Sequence, residues 1–477
     1  MKQKHTTIIL LLLALSQFLV VLDSAIINVA LPAIKEALHF SDAALQWVVT
    51  AYILTFGGFL MLGGRTADLF GRRRVLVSGI AGFTVFSLLL GLSQNSEMLI
   101  TLRALQGLSA AFMAPAALSI LLTTFKEGHE RNKALSIWSV VGSGGAAAGV
   151  FLGGILTEYL GWQWNFFVNV PLGILTIWGI MKFVPAHMQE AKDRHLDFPG
   201  AALVTSGLMA LVYALTQAPE TGWTSTSTLL PLGLSILLLI GFLVNESRVK
   251  HPLVPLNIFK TRNVTGGNLI MLPVMAGGLG LFFFSSLYIQ NVLQYSPVMS
   301  GLSFLPIPII IGLVSTRSPK LIERFGFKAL MVTGVSLTAL GTLLLSFLGA
   351  ESSYVFHLLP AFILMGVGLG LSFVSVTIAA TSGVKPEQSG LASGLINTSQ
   401  QIGGALGIAI LAVVASTGAA AGVASGMTEL QASLQGYQQA FFWAAMLMVA
   451  ALFVAIFVIR QPKKSVGQQI SEAISVH

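Results

Sequence analysis

GGRTADLFGRRR, from Gly63 to Arg74, and RSPKLIERFGFK, from Arg317 to Lys328, are two short basic turns that each close a long apolar stretch. Each has an acid three residues before a glycine, Asp68 before Gly71 and Glu323 before Gly326. Counted from the N-terminus, the first turn follows the second apolar stretch and the other follows the tenth. A turn repeated in this way predicts two related units, and repeated units around a central site are a transporter architecture.

Fourteen apolar stretches frame these turns, at residues 8–30, 44–64, 75–93, 97–122, 132–156, 163–182, 198–217, 228–245, 264–289, 299–316, 328–349, 354–381, 389–416 and 437–459. A helix of ~18 or more apolar residues spans a bilayer. The 477 residues are 55% hydrophobic and 9% charged, with a mean hydropathy of +0.83. Soluble chains carry about 25% charged residues, so a soluble fold is excluded. Met1 to His5 resembles the basic start of a signal peptide. The apolar run behind it is too long for one and lacks a small-residue cleavage site, so a retained helix is expected.

The basic residues set the topology. With the N-terminus in the cytoplasm, every Lys and Arg but two falls at cytoplasmic ends, the exceptions being Lys35 outside and Arg103 within a span. One miscounted helix would scramble this alternation, so both termini are expected in the cytoplasm. The same bias explains the net charge of +8 without nucleic acid. The fold class is therefore all-α integral membrane with fourteen transmembrane helices. The expected units are an N-terminal six-helix bundle (1–184), a linker with inserted spans seven and eight (185–263), a C-terminal six-helix bundle (264–461) and a cytoplasmic tail (462–477).

Two charges lie inside spans. Asp23 sits in VLDSAIINVALP, Val21 to Pro32, and is the one carboxylate deep in an apolar stretch. A charge at membrane depth costs roughly 2.5–3.5 kcal/mol on insertion scales and marks function by default. Arg103 sits in the fourth span. Counting ~1.5 Å per residue puts both about 10 Å below the outer surface, which permits a pair. Two readings stay open: a static salt bridge, or a proton site at Asp23 tuned by Arg103.

Small residues form stripes. Gly145, Gly149 and Gly153, with Gly142 and Gly154 beside them, mark the fifth span. Gly390, Gly394, Asn397 and Gln401 share one face of the thirteenth. Such spacing lets helix backbones approach closely, either as plain packing or as a sliding interface. Asn28, Gln106, Met271, Tyr288, Asn397 and Gln401 are the candidate cavity residues. An apolar, aromatic cavity with one acid suits lipophilic, often cationic compounds. The chain has no cysteine, which excludes disulfides and thiolate chemistry. It carries no P-loop, no His or acid cluster for a metal, and no nucleophile–base constellation. No cofactor or metal is expected, and an enzyme is the least favoured class.

The motifs together resemble a known family. Gly64, Asp68, Gly71, Arg72 and Arg73 match the G-x-x-x-D-x-x-G-R-R/K loop of the major facilitator superfamily, and Arg103, Gln106 and Gly107 its R-x-x-Q-G motif. LDSAIINVALP, WQWNFFVNVPLG and GLASGLINTSQQIGGALG resemble signatures of its fourteen-helix drug:H⁺ antiporter branch. Two features depart from it. Val150 stands where the G-P-x-x-G-G motif has proline, and Gln163 where W-R-W has arginine. The resemblance implies the major facilitator fold and alternating access between two bundles. It implies export of small lipophilic compounds in exchange for protons across a bacterial inner membrane, by a chain functional as a monomer. It also implies a cytoplasmic latch at Asp68 and Arg72, with Gly145, Gly149, Gly153 and Gly154 in the conformational machinery. A dedicated exporter of one metabolite, antibiotic or lipid would share every motif. A non-transporting sensor or scaffold is disfavoured by the retained Asp23.

Overall fold

The computed structural model describes residues 2–125, 129–185, 197–250, 252–382 and 389–461. Fourteen long helices fill them: α1 (Lys2–Leu38), α2 (Trp47–Phe70), α3 (Arg72–Gly91), α4 (Ser96–Thr124), α5 (His129–Tyr159), α6 (Asn169–Phe183), α7 (Phe198–Thr221), α8 (Thr226–Arg248), α9 (Arg262–Asn291), α10 (Pro297–Phe325), α11 (Phe327–Leu345), α12 (Leu359–Thr381), α13 (Ser389–Ala424) and α14 (Glu429–Phe457). All but α5 are long and apolar enough to cross a membrane by length and composition, α6 together with the short turn before it as Trp164–Phe183. The glycine-rich α5 joins them by packing along α1. Residues 186–196 and the tail 462–477, where the sequence places linker and cytoplasmic tail, lie outside the described residues.

The helices pack as a duplication. α1 lies on α5, α2 on α4, α3 on α4 and α6; eight helices later α9 lies on α13, α10 on α12, α11 on α12 and α14. The twin turns explain why the sequence repeats. Gly71 ends α2 at φ +98° and Gly326 ends α10 at φ +83°. Each donates its N–H four residues back, to Ala67 and Ile322. A side chain is strained at such φ, so glycine at both turns is a backbone requirement. α10 breaks at Leu305, because Pro306 has no N–H to continue the ladder.

α7 and α8 form a hairpin outside this duplication. α7 leans on α2 and α13, whereas α8 exposes Leu230 and Leu237, two-thirds open, as a bilayer-facing helix would. Among the described residues the main contacts between the halves are α1 with α9, α2 with α13, and α5 with α10. Exchanging the halves turns the second contact into the third, so the arrangement is a pseudo-twofold. The helices also outrun the apolar stretches. α1 continues through Lys35 and Glu36 to Leu38, so Asp23 lies deeper below its end than the apolar stretch implied.

Candidate functional site

Polar side chains on α1 solve their hydrogen bonding in two ways. Ser16, Ser24 and Asn28 donate to the carbonyls of Leu12, Val20 and Ser24 one turn back. A carboxylate can only accept, and a helix interior has no free N–H to offer. Asp23 therefore needs donors from other helices, and three converge on it. Arg103 Nη1 donates to Oδ2 at 2.7 Å. Gln106 Nε2 and Asn169 Nδ2 donate to Oδ1 at 2.9 and 2.8 Å. Arg103 and Gln106 are three apart on α4 and so share a face.

The guanidinium is held from several sides as well. Arg103 Nε donates to the Val48 carbonyl at 2.8 Å and Nη1 to Gln106 Oε1 at 2.6 Å. The ring of Tyr52 lies 4.4 Å from its central carbon, a cation–π contact. Gln106 also donates to Ser87 Oγ of α3 at 2.8 Å. Asp23, Arg103, Gln106, Asn169 and Ser87 are all fully buried. A buried pair repays its desolvation only when further hydrogen bonds satisfy it, and here five helices supply them. Gly107 keeps α4 close enough, since a Cβ there would run into the Tyr52 carbonyl of α2.

The depth estimate thus brought together the right pair. Asn169, Ser87 and Tyr52 carried no role in the sequence reading. Asn169 had a signal, because it lies in WQWNFFVNVPLG, but Ser87 and Tyr52 stand in apolar runs with no pattern to mark them. Three candidate cavity residues sit elsewhere than expected. Gln106 belongs to the charge cluster. Met271 is fully buried in the core between α9 and its neighbours. Tyr288 is fully buried and donates to the Gly349 carbonyl at 2.6 Å. Each sits on a helix apolar around most of its circumference, so periodicity could not say which side faces a cavity. Asn397 is exposed, and Gln401 packs on Gly57 of α2. An apolar cavity of about 530 Å³ opens between α2, α4, α7 and α8, and none of the six lines it.

The halves are joined at the end opposite the twin glycine turns. Ser286 Oγ donates to the Asn28 carbonyl at 2.6 Å and Gln290 Nε2 to that of Val29 at 3.0 Å. Across α5 and α10, the Val298 N–H donates to Glu158 at 2.9 Å. The glycine stripe of α5 divides between two partners. Gly145, Gly149 and Gly153 face Phe18, Leu22 and Ile26 of α1, whereas Gly154 faces Pro297 and Val298 of α10. Nearer the N-terminus of α5, Gly142 and Gly144 meet open space. Val150, in place of the motif proline, lays its carbonyl against Gly301 within an unbroken helix.

At the end that carries the twin turns, a Cβ on Gly64 would lie 3.5 Å from Pro115 of α4, and Arg73 donates to the Met181 carbonyl of α6. Arg72 is half-buried at the start of α3. The Asp68 side chain lies outside the described residues, and Gly390 is described only as part of the α13 backbone.

Comparison with known proteins agrees with this architecture. The sequence model of the Major Facilitator Superfamily matches residues 13–408. The puromycin resistance protein pur8 of Streptomyces alboniger is 42% identical over 85% of this chain and 81% of its own length. The cephamycin export protein CmcT of Amycolatopsis lactamdurans is 40% identical over 87% of this chain and 86% of its own. Among solved structures, the POT family transporter PepTSo superposes with a TM-score of 0.69 at 17% identity, covering 95% of this chain and 98% of that one, which shows the fold. Duplicated helices, twin glycine turns and a match across most of the sequence make this multi-pass membrane chain a member of the major facilitator superfamily.

Proposed function

We propose that this chain exports lipophilic or amphipathic toxic compounds from a bacterial cell in exchange for protons, by alternating access between its two six-helix halves. Support for the cargo comes from relatives at 42% and 40% identity, named for puromycin resistance and cephamycin export. Support for the proton comes from one observation: a fully buried carboxylate, Asp23, held by donors from α4 and α6.

Asp23 would carry the proton and Arg103 would modulate it. A nearby cation favours the carboxylate and desolvation favours the acid, so changing the Asp23–Arg103 contact changes proton affinity. The cluster has a place for each partner in the protonated state. Arg103 keeps the Val48 carbonyl, Gln106 Oε1 and the Tyr52 ring. The new O–H on Asp23 needs an acceptor, and Asn169 Oδ1 is buried with no hydrogen-bond partner. Rotation of the Asn169 amide would present that oxygen to Asp23. Because Asp23 touches no solvent here, loading requires α1 to move against α4 and α6.

The outer contacts of α1 with α9 and of α5 with α10 would open to release cargo. Asp68 and Arg72 would latch the cytoplasmic side, with both termini on that side and the chain acting as a monomer. The test is efflux from proteoliposomes under an imposed pH gradient, with lipophilic cations, neutral drugs and anions as cargo. Wild type should export cargo in exchange for protons entering down their gradient, and Asp23→Asn should not. Gradient-driven export by Asp23→Asn would place the carrier elsewhere. A dedicated exporter is the second reading, favoured because each of these relatives is named for one antibiotic; transport of a single class in the panel would select it.

A further inference from the structure

A buried pair of acids lies outside the Asp23 cluster, where the inserted hairpin meets the linker. Asp197 caps α7, its Oδ1 accepting the Gly200 N–H at 2.9 Å. Both its oxygens also accept from Asn245 Nδ2 of α8, at 3.0 and 2.9 Å. Glu246, next along α8, accepts the Val254 N–H on Oε2 at 2.8 Å. Its other oxygen, Oε1, is buried and has no hydrogen-bond partner. Both residues are only 4% exposed.

The two carboxyls point at the same spot. A Cβ added to Gly200 would stand 2.6 Å from Asp197 Oδ2 and 2.8 Å from Glu246 Oε1. No described cation forms an ion pair with either acid. Arg248 and Lys250, just beyond Glu246, are exposed, and Arg65 on α2, the helix packed against α7, is half-buried. Arg194, His195 and His251 lie outside the described residues. Two carboxylates this close and buried, with no cation paired to them among the described residues, cannot both stay ionised. Asp197 already accepts three hydrogen bonds, so the vacant oxygen of Glu246 is where a proton adds a bond instead of removing one.

We propose that Asp197 and Glu246 form a second proton-binding site, in which a proton on Glu246 Oε1 bridges to Asp197 Oδ2 and fastens the α7–α8 hairpin to the linker. The fastening reaches the junction of the two halves. Val254, held by Glu246, packs with Met61 of α2 and with Ala392 and Leu395 of α13. Losing the proton sets two negative charges against each other and frees that junction. The proposal does not depend on Asp23 being the coupling acid.

Infrared difference spectroscopy on the full chain in lipid nanodiscs tests it, reading the C=O stretch of a protonated carboxyl. Wild type should show the band at mildly acidic pH and lose it as pH rises. Glu246→Gln should lack it, because the amide donates to Asp197 and accepts from Val254 with no proton to lose. Asp23→Asn should keep it. Thermal stability gives a second readout. A carboxyl that stays protonated in the folded chain, and ionises near its usual value of about 4.3 when unfolded, stabilises less as pH rises. Wild-type Tm should therefore fall more steeply than that of Glu246→Gln from just above that usual value up to the pH at which the band disappears, and run parallel to it beyond. If Glu246→Gln folds poorly, Asp197→Asn serves, since its amide can donate to Glu246 Oε1 and should also abolish the band. A band that survives in these variants, or identical slopes over that pH range, would overturn the proposal.

Discussion

Gly154→Ala should open the outer side of the molecule. A Cβ at Gly154 would stand 2.5 Å from the Pro297 carbonyl oxygen and 2.8 Å from the Val298 Cα, both backbone atoms of α10. Neither can swing away as a flexible side chain would, so α5 and α10 must part by roughly 1 Å to reach ordinary contact. Overpacking of this kind costs about 1–3 kcal/mol. The cost falls on the outer-closed state alone, because the contact is absent once the outer ends separate. An energy of that size shifts a two-state equilibrium by roughly 5- to 150-fold. The chain has no cysteine, so spin labels at Leu160→Cys and Met299→Cys, both exposed on the outer ends, report the distance cleanly. The long-distance population should grow in Gly154→Ala. Gly142→Ala is the control, since a Cβ there meets nothing within 4 Å. An unchanged distribution in folded Gly154→Ala would refute the assignment of this seam as the outer gate.

Other expectations are more direct. Arg103→Ala leaves Asp23 buried without its cation and should destabilise the fold by about 3–5 kcal/mol, read by thermal unfolding against wild type. Asp68→Asn should impair transport with expression intact and shift the open–closed distribution measured across the cytoplasmic ends of α2 and α13; an unaltered distribution with full transport would remove the latch. A cysteine at Lys464 should react with membrane-impermeant reagent only after the cytoplasmic face is exposed, and labelling from outside intact cells would overturn the topology.

Helix number, helix order and the repeat were legible in the residues because they rest on local physics. An apolar run must be helical in a bilayer, and a basic loop stays on one side. A glycine at positive φ is demanded by the backbone itself, which is why Gly71 and Gly326 mark equivalent turns. The Asp23–Arg103 pair was also within reach, since rise per residue fixes depth before any packing is known. What depth leaves open is azimuth. Whether Met271 and Tyr288 face a cavity or the core depends on how each helix is rotated in its bundle, and a uniformly apolar helix has no stripe to reveal it.

Only the tertiary structure brought Asn169, Ser87 and Tyr52 to the charge cluster, because those contacts join residues up to 146 positions apart. It alone divided the α5 glycines between α1 and α10, a distinction that identical residues at helical spacing cannot carry. It alone set Glu246 beside Asp197, 49 positions apart along the chain. The sequence determined which groups the membrane makes costly; the packing of helices decided which of them satisfy one another.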